Sequence, residues 1–210
     1  MKIVLPTGER VYQAVKAELL AGDYSPGERI EAVLLAERYM TSITPVRAAL
    51  HRLVGERLVD AQAGEGFHAP LVTEAGLRDL YAWNGQIIQL AWQAAPHPAH
   101  PSDGAAPFTD AASPPFQDVP AATASLFAAL GERSGNEPCA AAILQLNDRL
   151  HVSRRLEVEL IVDLQAELAT MANTIAAGQS LEVRHTLTNY HRRRIRLAAD
   201  LVRLMRRRLR

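Results

Sequence analysis

Residues 31–66 read EAVLLAERYMTSITPVRAALHRLVGERLVDAQAGEG, and the fold turns on how this stretch is organised. Thr44 and Pro45 open a helix, because proline fixes φ near the helical value and lacks only an N–H that a first-turn residue would leave without a helical partner. From there Val46, Leu50 and Leu53 recur at helical spacing on one side, while Thr44, Arg47, Ala48 and His51 fall on the other. One face packs and the other is free. Upstream, EAVLLAERY (residues 31–39) forms a second short helix, set apart by the polar break Thr41-Ser42. Downstream, RLVDAQAGEGFHAPL (residues 57–71) forms two short strands around Gly64-Glu65-Gly66, where glycine supplies the backbone angles of a tight hairpin.

Working outward, Val11, Val15 and Leu19 give helical spacing from Glu9 to Ala21, and Gly22 is a stop signal. DYSPGERI then reads as a turn and a short extended stretch. Three helices and a hairpin wing make a winged helix-turn-helix over residues 1–71. Beyond it, residues 73–95 form a long amphipathic helix carrying Leu77, Leu80, Tyr81, Ile87, Ile88 and Leu90. Seven of the twelve prolines fall between Pro96 and Pro120, so 96–120 is expected to be loop. Helical patterns follow over 121–133, 138–153, 154–177 and 180–209, broken at SGN (134–136) and AAGQ (176–179). The fold class is mainly α: a winged helix-turn-helix domain over 1–71 and an all-helical domain over 72–210. No repeat of solenoid length is present.

Composition narrows the function classes. With 210 residues, 48% apolar and 22% charged, the chain suits a soluble protein with two modest cores. Its one cysteine, Cys139, excludes an internal disulfide and a cysteine-type zinc finger, and reads as a small core residue in a reducing compartment. No signal-peptide-like start and no run of eighteen apolar residues is seen, so a cytoplasmic protein without membrane partners is expected. The net charge is zero, but residues 184–210 carry ten basic side chains and one acidic. Arg206, Arg207, Arg208 and Arg210 complement the negative end of a helix dipole, or lend charge to DNA binding. There is no nucleophile elbow, phosphate-cradling glycine loop or zinc-protease motif, and an enzyme is not expected.

The order E-x-x-x-LA, then TPVR-x-AL-x-RL-x-x-E-x-LV, then G-x-G resembles the DNA-binding half of the GntR family, over nearly all of residues 8–70, with YSPGERI similar to that family's preceding segment. The resemblance implies that Arg47 reaches a base edge, where a guanidinium bridges the two acceptors of guanine. Ser42 and Thr44 would bond phosphate oxygens, and Gly64 and Gly66 would lie in a wing along the minor groove. His51 and Arg52 are further candidates on the same helix; His51, like His68, reads as readily as structural or solvated. Two positions depart from the family: Ile43 and Glu65 stand where basic residues are usual. A shallow salt dependence of DNA affinity follows, or help from another basic segment. The expected partner is a short inverted repeat of double-stranded DNA, bound by a homodimer. The competing reading is a winged-helix interaction module with lost or weak DNA binding.

Beyond Thr73, LRDLYAWNGQIIQLA, LFAALGERSGNEP, NDRLHVSRRLE and AAGQSLEVRHTLTNYHRRR resemble, in order and spacing, the FCD-type helical effector domain of one GntR subfamily. Many members hold a divalent metal through one aspartate and three histidines. Aligned on Ser134-Gly135-Asn136, those positions fall on Thr123, Phe127, near Leu168, and on Tyr190 or His191. One imidazole does not hold a zinc-like ion, so no metal or other cofactor is expected. The resemblance makes His191, Tyr190, Asn84 and Tyr81 the candidates for contacting a small-molecule effector. His191 shares a stripe with Leu187, Ile195, Ala198, Val202 and Met205, and so is either a hydrogen-bonded core residue or a ligand contact. Asn84 and Ile88 replace an arginine and a glutamate common in the family, which implies a less charged pocket and a less acidic ligand.

Overall fold

The structure is a computed structural model that describes residues 6–62, 64–95 and 118–208. They group into two compact units, one running to Val72 and including the final helix from Arg203 onward, the other running from Thr73 to Val202.

The first unit begins with α1 (Thr7–Ala21), which buries Val11, Tyr12, Val15 and Leu19. It ends where sequence places the stop: Gly22, at φ 79°, is left-handed and its N–H bonds the carbonyls of Glu18 and Leu19. A two-residue strand β1 (Arg29–Ile30) leads into α2 (Ala32–Arg38), and α3 (Ile43–Gly55) follows across the turn at Met40-Thr41-Ser42. Strands β2 (Asp60–Gln62) and β3 (Gly66–His68) form the hairpin. Its neighbour is not absent, as a bare hairpin wing would have it: β1 pairs antiparallel with β3, giving a three-stranded sheet in the order β1-β3-β2. Only two residues of β1 join that ladder, too few for period-two alternation to show. The core is apolar, built on Val11, Val15, Leu35, Val46, Leu50 and Leu53, all at most 2% exposed.

The second unit is helical throughout its described residues. In α4 (Glu74–Ala94) the hydroxyl of Thr73 caps the first turn by accepting from the Gly76 N–H. Segment 96–117, most of the expected loop, lies outside the described residues. Val119 and Pro120, expected in that loop, instead open α5 (Val119–Arg133), because Asp118 caps the helix from the Ala121 N–H and proline is tolerated in a first turn. After the SGN break, Asn136 caps α6 (Glu137–Leu156) by accepting from the Cys139 N–H. Sequence reading continues a helix from 154 to 177, whereas α6 stops at Leu156 and a turn of 3-10 helix (Glu157–Glu159) follows. The Glu157 carbonyl accepts from both Leu160 and Ile161, closing the turn within a β-branched stretch that favours helix weakly. Helix α7 (Leu164–Ala177) ends on left-handed Gly178, and α8 (Ser180–Arg208) follows. Ile88, Phe127, Leu130, Ile143, Met171 and Leu187 are fully buried at its centre. Cys139 is buried there, and burial pushes its thiol above the usual value. Among the described residues no helix is long and apolar enough to cross a membrane.

Candidate nucleic-acid interface and buried polar centre

Helix α3 divides as its spacing dictates. Val46, Ala49, Leu50 and Leu53 are buried, and Ser42, Thr44, Arg47, Ala48, His51 and Arg52 are exposed. Two carboxylates fix the frame around this face. Glu56, at the end of α3, accepts from Tyr12 Oη at 2.7 Å and Lys16 Nζ at 2.9 Å, tying α3 to α1. Burial raises its carboxyl, but those bonds outweigh burial and hold it below the usual range. Glu18 does the same for α2: it accepts from Tyr24 Oη at 2.7 Å, from Arg38 at 2.9 Å and from Tyr39 Oη. Burial again works against the charge and the three bonds prevail, leaving the carboxyl low.

Within that frame the exposed residues of α3 are not equivalent. Arg47 has no ion-pair partner among the described residues and stands free. Arg52 is engaged: it bonds Glu9 at 2.9 Å, lies 3.5 Å from Glu56, and stacks 3.5 Å above the Tyr12 ring. His51 packs edge-on against Phe67 of β3, with ring centroids 5.0 Å apart, so it braces the wing. At the wing, Gly64 and Gly66 hold φ of 80° and 90°, positions that side chains rarely adopt, and Glu65 between them is exposed. Ile43 is half-buried. Sequence reading finds no basic residue at the wing, yet one is beside it. Arg29 pairs with His68 across the β1–β3 ladder, and its guanidinium is 3.9 Å from where a Cβ on Gly66 would sit. His68 is half-buried with Nδ1 unpaired.

The second unit holds its polar groups inside. Tyr81, Asn84, Tyr190 and His191, the four effector candidates, are each at most 4% exposed. His191 Nε2 lies 2.9 Å from Asn84 Oδ1 and Nδ1 lies 2.7 Å from the Leu187 carbonyl, while the Tyr190 and His191 rings meet edge-on at 4.9 Å. Gly85 permits this approach, since a Cβ there would sit 3.0 Å from His191 Cγ. Burial, seconded by Arg154 and Arg194, pushes the His191 imidazole down to about 3 and keeps it neutral. Tyr81 is set slightly apart and donates to Glu157 at 2.6 Å, with Ser153 Oγ at 3.0 Å.

Four further charged side chains belong to this centre. Arg194 is 1% exposed and binds Glu157 at 2.9 Å and Glu167 at 2.7 Å; Arg154 is 2% exposed and donates to Asn147 at 2.9 Å. The signal was present: Arg194 continues the stripe of Leu187 and His191 at helical spacing, but within HRRRIR it reads as a solvated face. The positions implied for a metal, Thr123, Phe127, Leu168 and Tyr190 or His191, are all buried, and Phe127 stacks on His191 at 5.7 Å. They supply one imidazole among a phenyl, an isobutyl and a hydroxyl, a donor set that does not fit a divalent metal.

Residues 7–68 match the sequence profile described as bacterial regulatory proteins, gntR family. The HTH-type transcriptional repressor GlaR of Escherichia coli K12 is 33% identical over 70 residues, covering 33% of this chain and 32% of that protein. The Nta operon transcriptional regulator of Aminobacter aminovorans is 40% identical over 68 residues, 32% of each chain. The matched stretch thus spans about a third of these relatives. In three dimensions the likeness is wider. A putative transcriptional regulator GntR from Rhodococcus sp. RHA1 superposes with a TM-score of 0.72 at 14% identity, covering 92% of this chain and 97% of that one. E. coli McbR/YncC superposes with a TM-score of 0.64 at 21% identity, covering 94% and 99%. These structures share the fold, a winged helix followed by a helical region. Over residues 7–68 the chain is thus similar to the gntR family of bacterial regulatory proteins.

Proposed function

We propose that this protein is a cytoplasmic, sequence-specific transcriptional regulator, acting as a repressor, which binds a short inverted repeat of double-stranded DNA as a homodimer. The observation that carries this reading is the outward face of α3. It presents Ser42, Thr44 and an unpaired Arg47, on a helix locked to α1 through Glu56 and braced on the wing through His51. Arg47 reads a guanine edge, Ser42 and Thr44 hold phosphates, and Gly64 and Gly66 let the wing backbone approach the minor groove, with Arg29 beside it. Arg52 serves the frame. The second unit, which we assign to the FCD type, dimerises and receives a small-molecule effector at the centre formed by Tyr81, Asn84, Tyr190 and His191, without a metal. No catalytic role is assigned to either unit.

A second reading has a specific observation in its favour: Val33, Leu34 and Met40 on and after α2 are 54%, 56% and 87% exposed, and Glu65 occupies the wing tip. Such a surface suits a protein partner better than a phosphate backbone. A gel shift with fragments of the protein's own upstream region, run over a salt series, separates the two. The regulator retards a fragment carrying an inverted repeat, with a shallow salt slope, and the interaction module retards none. Sedimentation of the free protein tests the dimer.

A further inference from the structure

The small sheet of the first unit brings a cation to the wing, whose own sequence, DAQAGEGFH (residues 60–68), contains no lysine or arginine. The Gly27 N–H donates to the Ala69 carbonyl at 3.0 Å and the Ala69 N–H to the Glu28 carbonyl at 2.8 Å, so the chain just before β1 is tied to the chain just after β3. Arg29 comes next and pairs with His68 in that ladder. Its side chain reaches the wing: Nε and Nη2 each lie 3.9 Å from the position a Cβ on Gly66 would take. The guanidinium is lightly held there. Its ion pair, Nε to Glu31 Oε1 at 3.1 Å, joins side chains 61% and 45% exposed, and an exposed pair of that kind adds little to stability and exchanges readily.

Beside Arg29 the wing is bare backbone at two positions. Gly64 and Gly66 both hold positive φ, and a Cβ on Gly64 would meet nothing within 4 Å. Such a tip fits a narrow cleft, and the guanidinium at its side suits a negatively charged one. Glu65 at the tip has the wrong sign for phosphate, and Arg29 offsets it. The minor groove of duplex DNA is a cleft of this kind. Over A·T runs it narrows, its negative potential deepens, and arginine is drawn into it. Its floor there presents only acceptors, adenine N3 and thymine O2, whereas a G·C pair adds the guanine N2 amino donor, for which a guanidinium has no acceptor.

We propose that Arg29 is a second sequence-reading residue: its guanidinium enters the minor groove with Gly66, exchanging Glu31 for base acceptors, and sets an A·T requirement in the segment under the wing, next to the pairs that α3 reads. This rests on the reading of α3 and the wing as a DNA-binding surface. It adds a specificity that does not pass through Arg47.

The test is site selection followed by anisotropy, with the full chain. Wild type, Arg29→Ala and Arg29→Lys each select from a pool of random-sequence duplexes. The enriched repeat is then made in three forms, with the segment adjoining the α3-read pairs as A·T, G·C or inosine·C. Inosine lacks the N2 amino group, so its pair with cytosine resembles A·T from the minor groove and G·C from the major groove. Wild type is expected to bind the A·T and inosine·C forms alike and the G·C form about tenfold more weakly. Arg29→Ala is expected to bind all three within about twofold of one another, with its melting temperature unchanged. Arg29→Lys, which keeps the charge without the planar fork, is expected to fall between.

An A·T preference undiminished in Arg29→Ala, an inosine·C form as weak as the G·C form, or no flanking preference in wild type overturns the proposal. So does an equal loss on every duplex, scrambled ones included, which marks a plain phosphate contact. Repeat binding without an Arg29-dependent flank sinks only this proposal; a wild type that enriches no sequence sinks the regulator reading with it.

Discussion

The two units of this chain place their charged groups on opposite sides of their cores. In the first, the core is largely apolar and the carboxylates that tie its helices sit at the rim, Glu18 gathering two tyrosine hydroxyls and Arg38, and Glu56 one tyrosine hydroxyl and Lys16, at partly exposed positions. In the second, Arg154, Glu157 and Arg194 lie at most 2% exposed among the apolar side chains. The difference teaches where to look for function. In the first unit the candidate reading surface is the free side of α3. The second unit instead buries two guanidinium groups, whose desolvation is unfavourable unless they are paired.

The largest effect expected from this contrast is at Glu157. Glu157→Gln removes a carboxylate that serves both Arg194 and Tyr81 and leaves a buried cation short of charge, destabilising the second unit by about 3–5 kcal/mol. Both tryptophans, Trp83 and Trp92, lie on α4, so urea unfolding followed by tryptophan fluorescence reports this unit. A loss below about 1 kcal/mol would break the contrast. Next comes a cavity in the other core: Leu50→Ala, at a position 0% exposed, costs about 3 kcal/mol. The tryptophan transition is expected to stay in place while far-ultraviolet circular dichroism gains an earlier one. A single merged transition that moves as a whole would mean that the units fold as one.

The third effect is a pH dependence of the second unit. His191 is neutral when folded, its imidazole held down to about 3, whereas the unfolded chain takes up a proton near the ordinary histidine value. The unfolded state therefore binds more protons across that window, and stability is full above it and lost as pH falls, by about 2–3 kcal/mol between pH 7 and pH 4.5. Measured by tryptophan fluorescence, the slope is expected to flatten in His191→Phe. An equal slope in both proteins would show that His191 is not buried neutral.

How much of this was legible in the sequence follows the same division. The face of α3 could be read because apolar residues and helical spacing coincide, and because Gly22, Pro45 and the glycines of the wing mark local angles that need no knowledge of the rest of the chain. Arg29 beside the wing was not legible, since only the β1–β3 pairing, between residues far apart in sequence, brings it to Gly66. The stop at Leu156 was missed because Leu156, Leu160 and Leu164 keep helical spacing through LEVELIVDL while its β-branched members weaken the helix. Arg154 and Arg194 were hidden for a physical reason as well. An arginine among arginines is ordinarily solvated, and only the neighbours gathered around it by tertiary packing reveal that it is buried.

The most direct test of the account is the preference of wild type and Arg47→Ala for an inverted repeat over scrambled DNA of equal length, measured by fluorescence anisotropy at fixed salt. The account predicts that the wild type prefers the repeat, and that Arg47→Ala loses about 1–3 kcal/mol of that preference while its melting temperature is unchanged. Arg52→Ala, serving as control, lowers the melting temperature and leaves the preference intact. An undiminished preference in Arg47→Ala would contradict the assignment of the outer face of α3 as the reading surface.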